Sequence, residues 1–184
     1  MVGRKIVGIV GMPGSGKTTA ADVGRELGFL VVVMGDVVRE EVARRGLVLS
    51  PENVGRVMLE LREEGGEAVV AVRCFRKIAE AKDEAILIEG IRSLAEVEAF
   101  RRHFSDFKLL SIHSSPETRF RRIFERGRGD DPKNRQIFVE RDERELKVGV
   151  GSAIAMADHM LANERSLKQF RAKARRFLEE YLRE

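Results

Sequence analysis

Short apolar runs alternate with longer segments in which apolar residues recur every three or four positions, the two patterns that separate buried strands from amphipathic helices. Ile6, Val7, Ile9 and Val10 make Lys5 to Val10 a β-branched run and predict the first strand. A helix is expected from Lys17 to Leu27, ended by Gly28, with a second buried strand from Phe29 to Met34. Asp36 reads as the N-cap of a helix reaching about Arg45. Ser50-Pro51 opens another, serine as N-cap and proline in the first turn. Val54, Val57, Met58 and Leu61 keep helical spacing as far as Gly65-Gly66, and Ala68, Val72, Phe75 and Ala79 resume it.

The second half repeats the alternation. Ala85 to Glu89 is the third strand, Leu94 to Phe104 a helix, Phe107 to His113 the fourth strand, and Ser115-Pro116 starts a helix through about Glu125. Arg126 to Asn134 has no apolar residue and several glycine or proline breaks, so it predicts an exposed loop. Gln136 to Lys147 is a charged helix and Met160 to Ala162 a short fifth strand, with Met156 and Met160 expected in the core. Leu167, Phe170, Ala174, Phe177, Leu178 and Tyr181 give a last helix its apolar face. Strands alternating with helices imply an α/β fold: a parallel sheet covered on both faces. The length, 184 residues, predicts one domain over 1–184.

The first strand runs into Gly11-Met12-Pro13-Gly14-Ser15-Gly16-Lys17-Thr18, which satisfies G-x-x-x-x-G-K-[ST] at every fixed position. Glycines there let consecutive N–H groups curl around phosphate oxygens while the next helix aims its positive end at them. Gly11 to Thr18, with Thr19 beside them, are therefore the expected nucleotide-binding residues; Lys17 would reach the β- and γ-phosphates and Thr18 would ligate Mg²⁺. Glu89, at the carboxyl end of the third strand, is the expected second Mg²⁺-organising group. Asp36, Arg39 and Arg92 end or follow strands at the same edge, where guanidinium groups suit an acceptor phosphate. Arg128 in the polar loop, and Arg141 and Arg144 on one face of the next helix, are candidates to neutralise charge on a transferring phosphoryl group.

Composition narrows the class. One cysteine, Cys74, cannot form an intramolecular disulfide, and no apolar run is long enough to span a bilayer, so no membrane role and a cytoplasmic location are expected. The 35% charged fraction is high and nearly balanced at net +4, which suggests ion-pair networks. Basic residues concentrate in 119–135 and in 165–184. Lys168, Arg171 and Arg175 in the second region form a stripe opposite the apolar face, a feature that admits an ATPase switch acting on RNA or a protein assembly; no aromatic interleaves the stripe, which disfavours nucleic acid.

Over essentially its whole length the chain resembles the P-loop nucleoside monophosphate kinases, most of all an archaeal set related to adenylate kinase and dephospho-coenzyme A kinase. Gly35-Asp36-Val37-Val38-Arg39-Glu40-Glu41 is similar to the adenylate kinase segment whose arginine binds the acceptor's phosphate. Glu89-Gly90-Ile91-Arg92 resembles Asp-Gly-aromatic-Pro-Arg, with Glu first, no proline, and the arginine one residue early. Arg126 to Asp131 looks like the lid segment, and Ala157-Asp158 through Asn163 like the segment near the donor adenine in dephospho-coenzyme A kinases. The resemblance implies a five-stranded parallel sheet, a helical acceptor-binding insert over about 36–82 and a short lid over about 126–135. It implies an ATP- and Mg²⁺-dependent kinase of a small-molecule phosphate acceptor, most readily a nucleoside monophosphate, with Asn163 near the donor. Dephospho-coenzyme A kinase-like activity, with Asp36 as base for a hydroxyl acceptor, stays open.

Overall fold

The computed structural model describes residues 4–127 and 131–183. Five strands pair in the order β2-β3-β1-β4-β5, every pair parallel: β1 (Lys5–Val10), β2 (Leu30–Val33), β3 (Ala85–Ile91), β4 (Phe107–His113) and β5 (His159–Ala162). The central strand β1 shows why the sheet is buried on both sides. Ile6 and Val10 point into one core with Ile86, Ile88 and Leu109; Val7 and Ile9 point into the other with Leu87, Leu110 and Ile112. On the first face pack α2 (Met34–Arg44), α3 (Pro51–Gly65), α4 (Val69–Glu80), α5 (Leu94–His103) and α8 (Val150–Ala155). On the second pack α1 (Lys17–Glu26) and α9 (Leu167–Arg183), through Ala20, Val23, Phe170, Ala174 and Leu178. The Tyr181 hydroxyl ties α9 to the sheet, accepting from the Ile6 amide (3.2 Å) and donating to the Asp106 carbonyl (2.7 Å). The remaining helices, α6 (Pro116–Arg126) and α7 (Arg135–Val148), stand at the carboxyl ends of the strands.

Three sequence expectations are corrected, and one further helix appears. Asp36 is not an N-cap: α2 begins at Met34, capped by extended Val33, because Met34 is buried and the chain turns straight from strand into helix. Asp36 lies in the first turn, where its carboxylate binds Arg39. The third strand does not stop at Glu89. It runs to Ile91 through a bulge that sets Ile9 opposite Glu89 but Val10 opposite Ile91, and Gly90 supplies the φ of +105° this needs. The one-and-a-half-turn helix α8 was hidden by its glycines: Gly149, at φ +106°, ends α7 and starts α8. Met156 and Met160 are 51% and 56% exposed: Met156 is the residue that ends α8, and Met160 lies on the edge strand β5.

One buried ion pair secures the link from β3 to α5. Glu96, 1% exposed, completes a capping box with Ser93, accepts from the Arg92 amide (2.7 Å), and binds Arg62 of α3 at 3.0 Å. Glu96→Ala would leave the 13%-exposed Arg62 without its counter-charge. A loss of about 3–5 kcal/mol is expected, the usual cost of breaking a buried pair. Denaturant unfolding reads it; a loss below about 1 kcal/mol would mean water takes over the guanidinium.

Candidate phosphate-binding site

Where β1 ends, the backbone turns through Gly14 (φ +79°) and Gly16 (φ +108°), left-handed conformations that glycine adopts without strain. Gly16 caps α1 with no side-chain hydrogen bond, so the helix presents its first amides unscreened. A Cβ on Gly14 would lie 2.9 Å from the Ile123 side chain, so a side chain at that position would have to displace α6. The Lys17 amine reaches back across the loop, donating to the carbonyls of Gly11 (2.8 Å) and Met12 (3.1 Å). Burial of that amine, and next the charge of Arg92, lower its pKa to about 8. Thr18 Oγ1 donates to Glu89 Oε1 at 2.9 Å, bringing a hydroxyl and a carboxylate together at the strand edge.

These residues fit a nucleoside triphosphate with its cation. The amides and Lys17 match the phosphates, and Thr18 with Glu89 offers the hard oxygens Mg²⁺ takes with water. They open into a cavity of about 610 Å³. Gly11, Pro13, Gly14, Gly16, Lys17, Thr18, Thr19 and Glu89 line one side; Val33, Arg39, Gly90, Ile91, Arg92, Arg141 and Glu145 are among the rest. Of the loop residues assigned to nucleotide, Met12 and Ser15 face away: Met12 packs on the first core, and Ser15 is buried with its hydroxyl unpartnered.

Asn163 is also not where the resemblance put it. It is buried behind the loop, its Nδ2 donating to the Ser15 carbonyl at 2.8 Å, so it braces the loop rather than lining the cavity. Ser114, at the end of β4, donates to the Asn163 carbonyl (2.6 Å). Arg119 of α6, 3% exposed, donates to the carbonyls of Pro13 and Ser114 (both 3.2 Å) and forks onto Asp142 of α7. Sequence reasoning missed these braces, and no spacing on so charged a helix marks which arginine turns inward.

Arg39, Arg92 and Arg141 come together in the cavity; Asp36 and Arg144 do not line it. Helical geometry explains Arg144. At about 100° per residue, Arg141 and Glu145 are about 40° apart, while Arg144 lies about 60° to the other side and is exposed. Arg128, the expected lid arginine, lies outside the described residues. Arg126, the first residue of the lid-like segment, lines the cavity as well, and so do Asp22, Arg122 and Glu145, which the sequence had not singled out for it. Arg122 also donates to Ser114 Oγ (3.0 Å) and Asn163 Oδ1 (3.2 Å).

Residues 10–138 match the model of a family described as an AAA domain. UPF0200 protein MJ1399 of Methanocaldococcus jannaschii is 50% identical over 165 residues, covering 89% of this chain and 83% of the relative. The chain belongs to the UPF0200 family. A UPF0200 protein of Hyperthermus butylicus is 47% identical over 175 residues, covering 95% and 94% of the two chains. Among solved structures, TT1252 from Thermus thermophilus superposes with a TM-score of 0.63 at 20% identity over 97% of this UPF0200 chain and 98% of its own. Shikimate kinase from Bacteroides thetaiotaomicron gives 0.62 at 18% identity over 98% and 99%. The UPF0200 chain thus has the α/β P-loop kinase fold, and among the described residues no helix is long and apolar enough to cross a membrane.

Proposed function

We propose that this UPF0200 protein is an ATP- and Mg²⁺-dependent phosphotransferase acting on a small phosphate-bearing acceptor, a nucleoside monophosphate in the finer reading. One observation carries the proposal: Lys17 and the Thr18–Glu89 pair share a cavity with Arg39 of α2, Arg92 just after β3 and Arg141 of α7. ATP supplies the phosphoryl group, and Mg²⁺ the charge that offsets it. Lys17 and the loop amides would hold the donor phosphates and Arg39 and Arg92 the acceptor's, leaving Arg141, which lines the same cavity, to neutralise the transferring group. Positioning and electrostatics of this kind dominate phosphoryl transfer, and an acceptor that is already a phosphate needs no general base. That favours a phosphate acceptor over the hydroxyl of dephospho-coenzyme A. Asp36, the candidate base, binds Arg39 and does not line the cavity. The basic stripe on α9 supports nucleic acid weakly, since Arg171 and Arg175 are both paired with Glu26. The acceptor-binding role of 36–82 and the lid role of 126–135 belong to the same proposal.

Incubation with γ-labelled ATP, Mg²⁺ and a panel of nucleoside monophosphates plus dephospho-coenzyme A tests it. Label in one nucleoside diphosphate is expected; label released only as free phosphate would overturn transfer and favour an ATPase switch. Within the site, Arg141→Ala is expected to lower kcat/KM by about 10²-fold, the scale of one lost transition-state donor. Arg144→Ala should stay within about twofold, as surface changes do. Equal losses would mean α7 rotates on closure.

A further inference from the structure

Among the described residues three carboxylates line the cavity: Asp22, Glu89 and Glu145. Asp22 pairs with Arg25 along α1 (2.6 Å), and Glu89 takes the Thr18 hydroxyl. Glu145 is different. From α7 its Oε1 accepts from Nη1 of Arg92 at 2.9 Å, and its side chain is 15% exposed. Among the described residues, the carboxylates that meet Arg39, Arg126 and Arg141 do not line it: Asp36 binds Arg39, and Asp131 binds both Arg126 and Arg141. Arg92–Glu145 is therefore an ion pair with both members facing the space an acceptor anion would enter.

A carboxylate there repels every phosphate that enters, so its presence calls for a role. We propose, resting on the phosphotransferase reading above, that Glu145 is a specificity-determining counter-anion, which occupies the Arg92 guanidinium until a phosphomonoester displaces it. Carboxylate and phosphate dock on the same guanidinium fork. A carboxylate acceptor would give Arg92 only the bond Glu145 already gives, while losing its own translational freedom. Glu145, being tethered, competes at an effective concentration of about millimolar or more. A phosphomonoester, with a charge of about −1.5 to −2 and three acceptor oxygens, can prevail. Acceptors are thereby restricted to phosphate esters as against carboxylates.

The test needs no turnover. With ADP first filling the P-loop, inorganic phosphate is titrated calorimetrically into the wild type, Glu145→Gln, Arg92→Ala and the double variant. Glu145→Gln is expected to bind phosphate about tenfold more tightly, corresponding to about 1.4 kcal/mol. Acetate binding should become measurable in that variant alone, and the gain should vanish on the Arg92→Ala background. No gain, or the same gain without Arg92, would overturn the proposal. If Glu145→Gln lowers the unfolding midpoint, Glu145→Ala repeats the comparison with the hydrogen bond removed altogether. Failure of the kinase reading shows separately, as wild-type protein that moves no label from ATP to any acceptor.

Discussion

Lys17→Ala should lower turnover by about 10²–10³-fold, the loss typical of removing one donor aimed at developing charge. The amine's present partners are two loop carbonyls, Gly11 and Met12, so its removal leaves the sheet and both cores untouched. An unchanged unfolding midpoint alongside the loss would assign it to chemistry. Activity within fivefold of wild type would sink the assignment, because no other lysine lines the cavity among the described residues.

Glu89→Gln is the second large effect. The amide keeps the shape and still offers an oxygen to Thr18, so the 2.9 Å contact survives while the negative charge is lost. Affinity for Mg²⁺ should fall by about 10–100-fold, the range for disturbing a metal's supporting groups. The measurement is turnover against Mg²⁺ concentration. The expected curve shifts to higher Mg²⁺ and recovers part of the rate; a curve that does not shift would remove Glu89 from the cation's surroundings.

The sequence carried these two residues because each sits where a pattern breaks. Lys17 closes a glycine motif whose spacing the backbone itself requires, and Glu89 follows an apolar run that only a strand explains. The strands β1 and β4 run from Lys5 to Val10 and from Phe107 to His113, bounds already marked by the change from polar to apolar residues. What could not be read is whatever depends on direction rather than spacing. Asn163 looked like a nucleotide contact because of its place after β5, yet its amide turns inward to Ser15. Arg119 and Arg122 sit among the arginines of α6, and only packing against the P-loop and α7 decides which are buried. The early arginine at position 92 looked like a departure from the family's pattern. The bulge at Gly90 lets β3 run on to Ile91, and Arg92 follows at the cavity edge.

The P-loop is gripped from behind by Asn163 after β5 and Arg119 on α6, with Ser114 after β4 holding Asn163 in turn. Its conformational entropy is therefore surrendered when the chain folds, not when nucleotide arrives. The affinity of the loop for its ligand is then free of an ordering cost. A substitution at Asn163, which lies outside the cavity, would restore that freedom and weaken nucleotide binding from a distance.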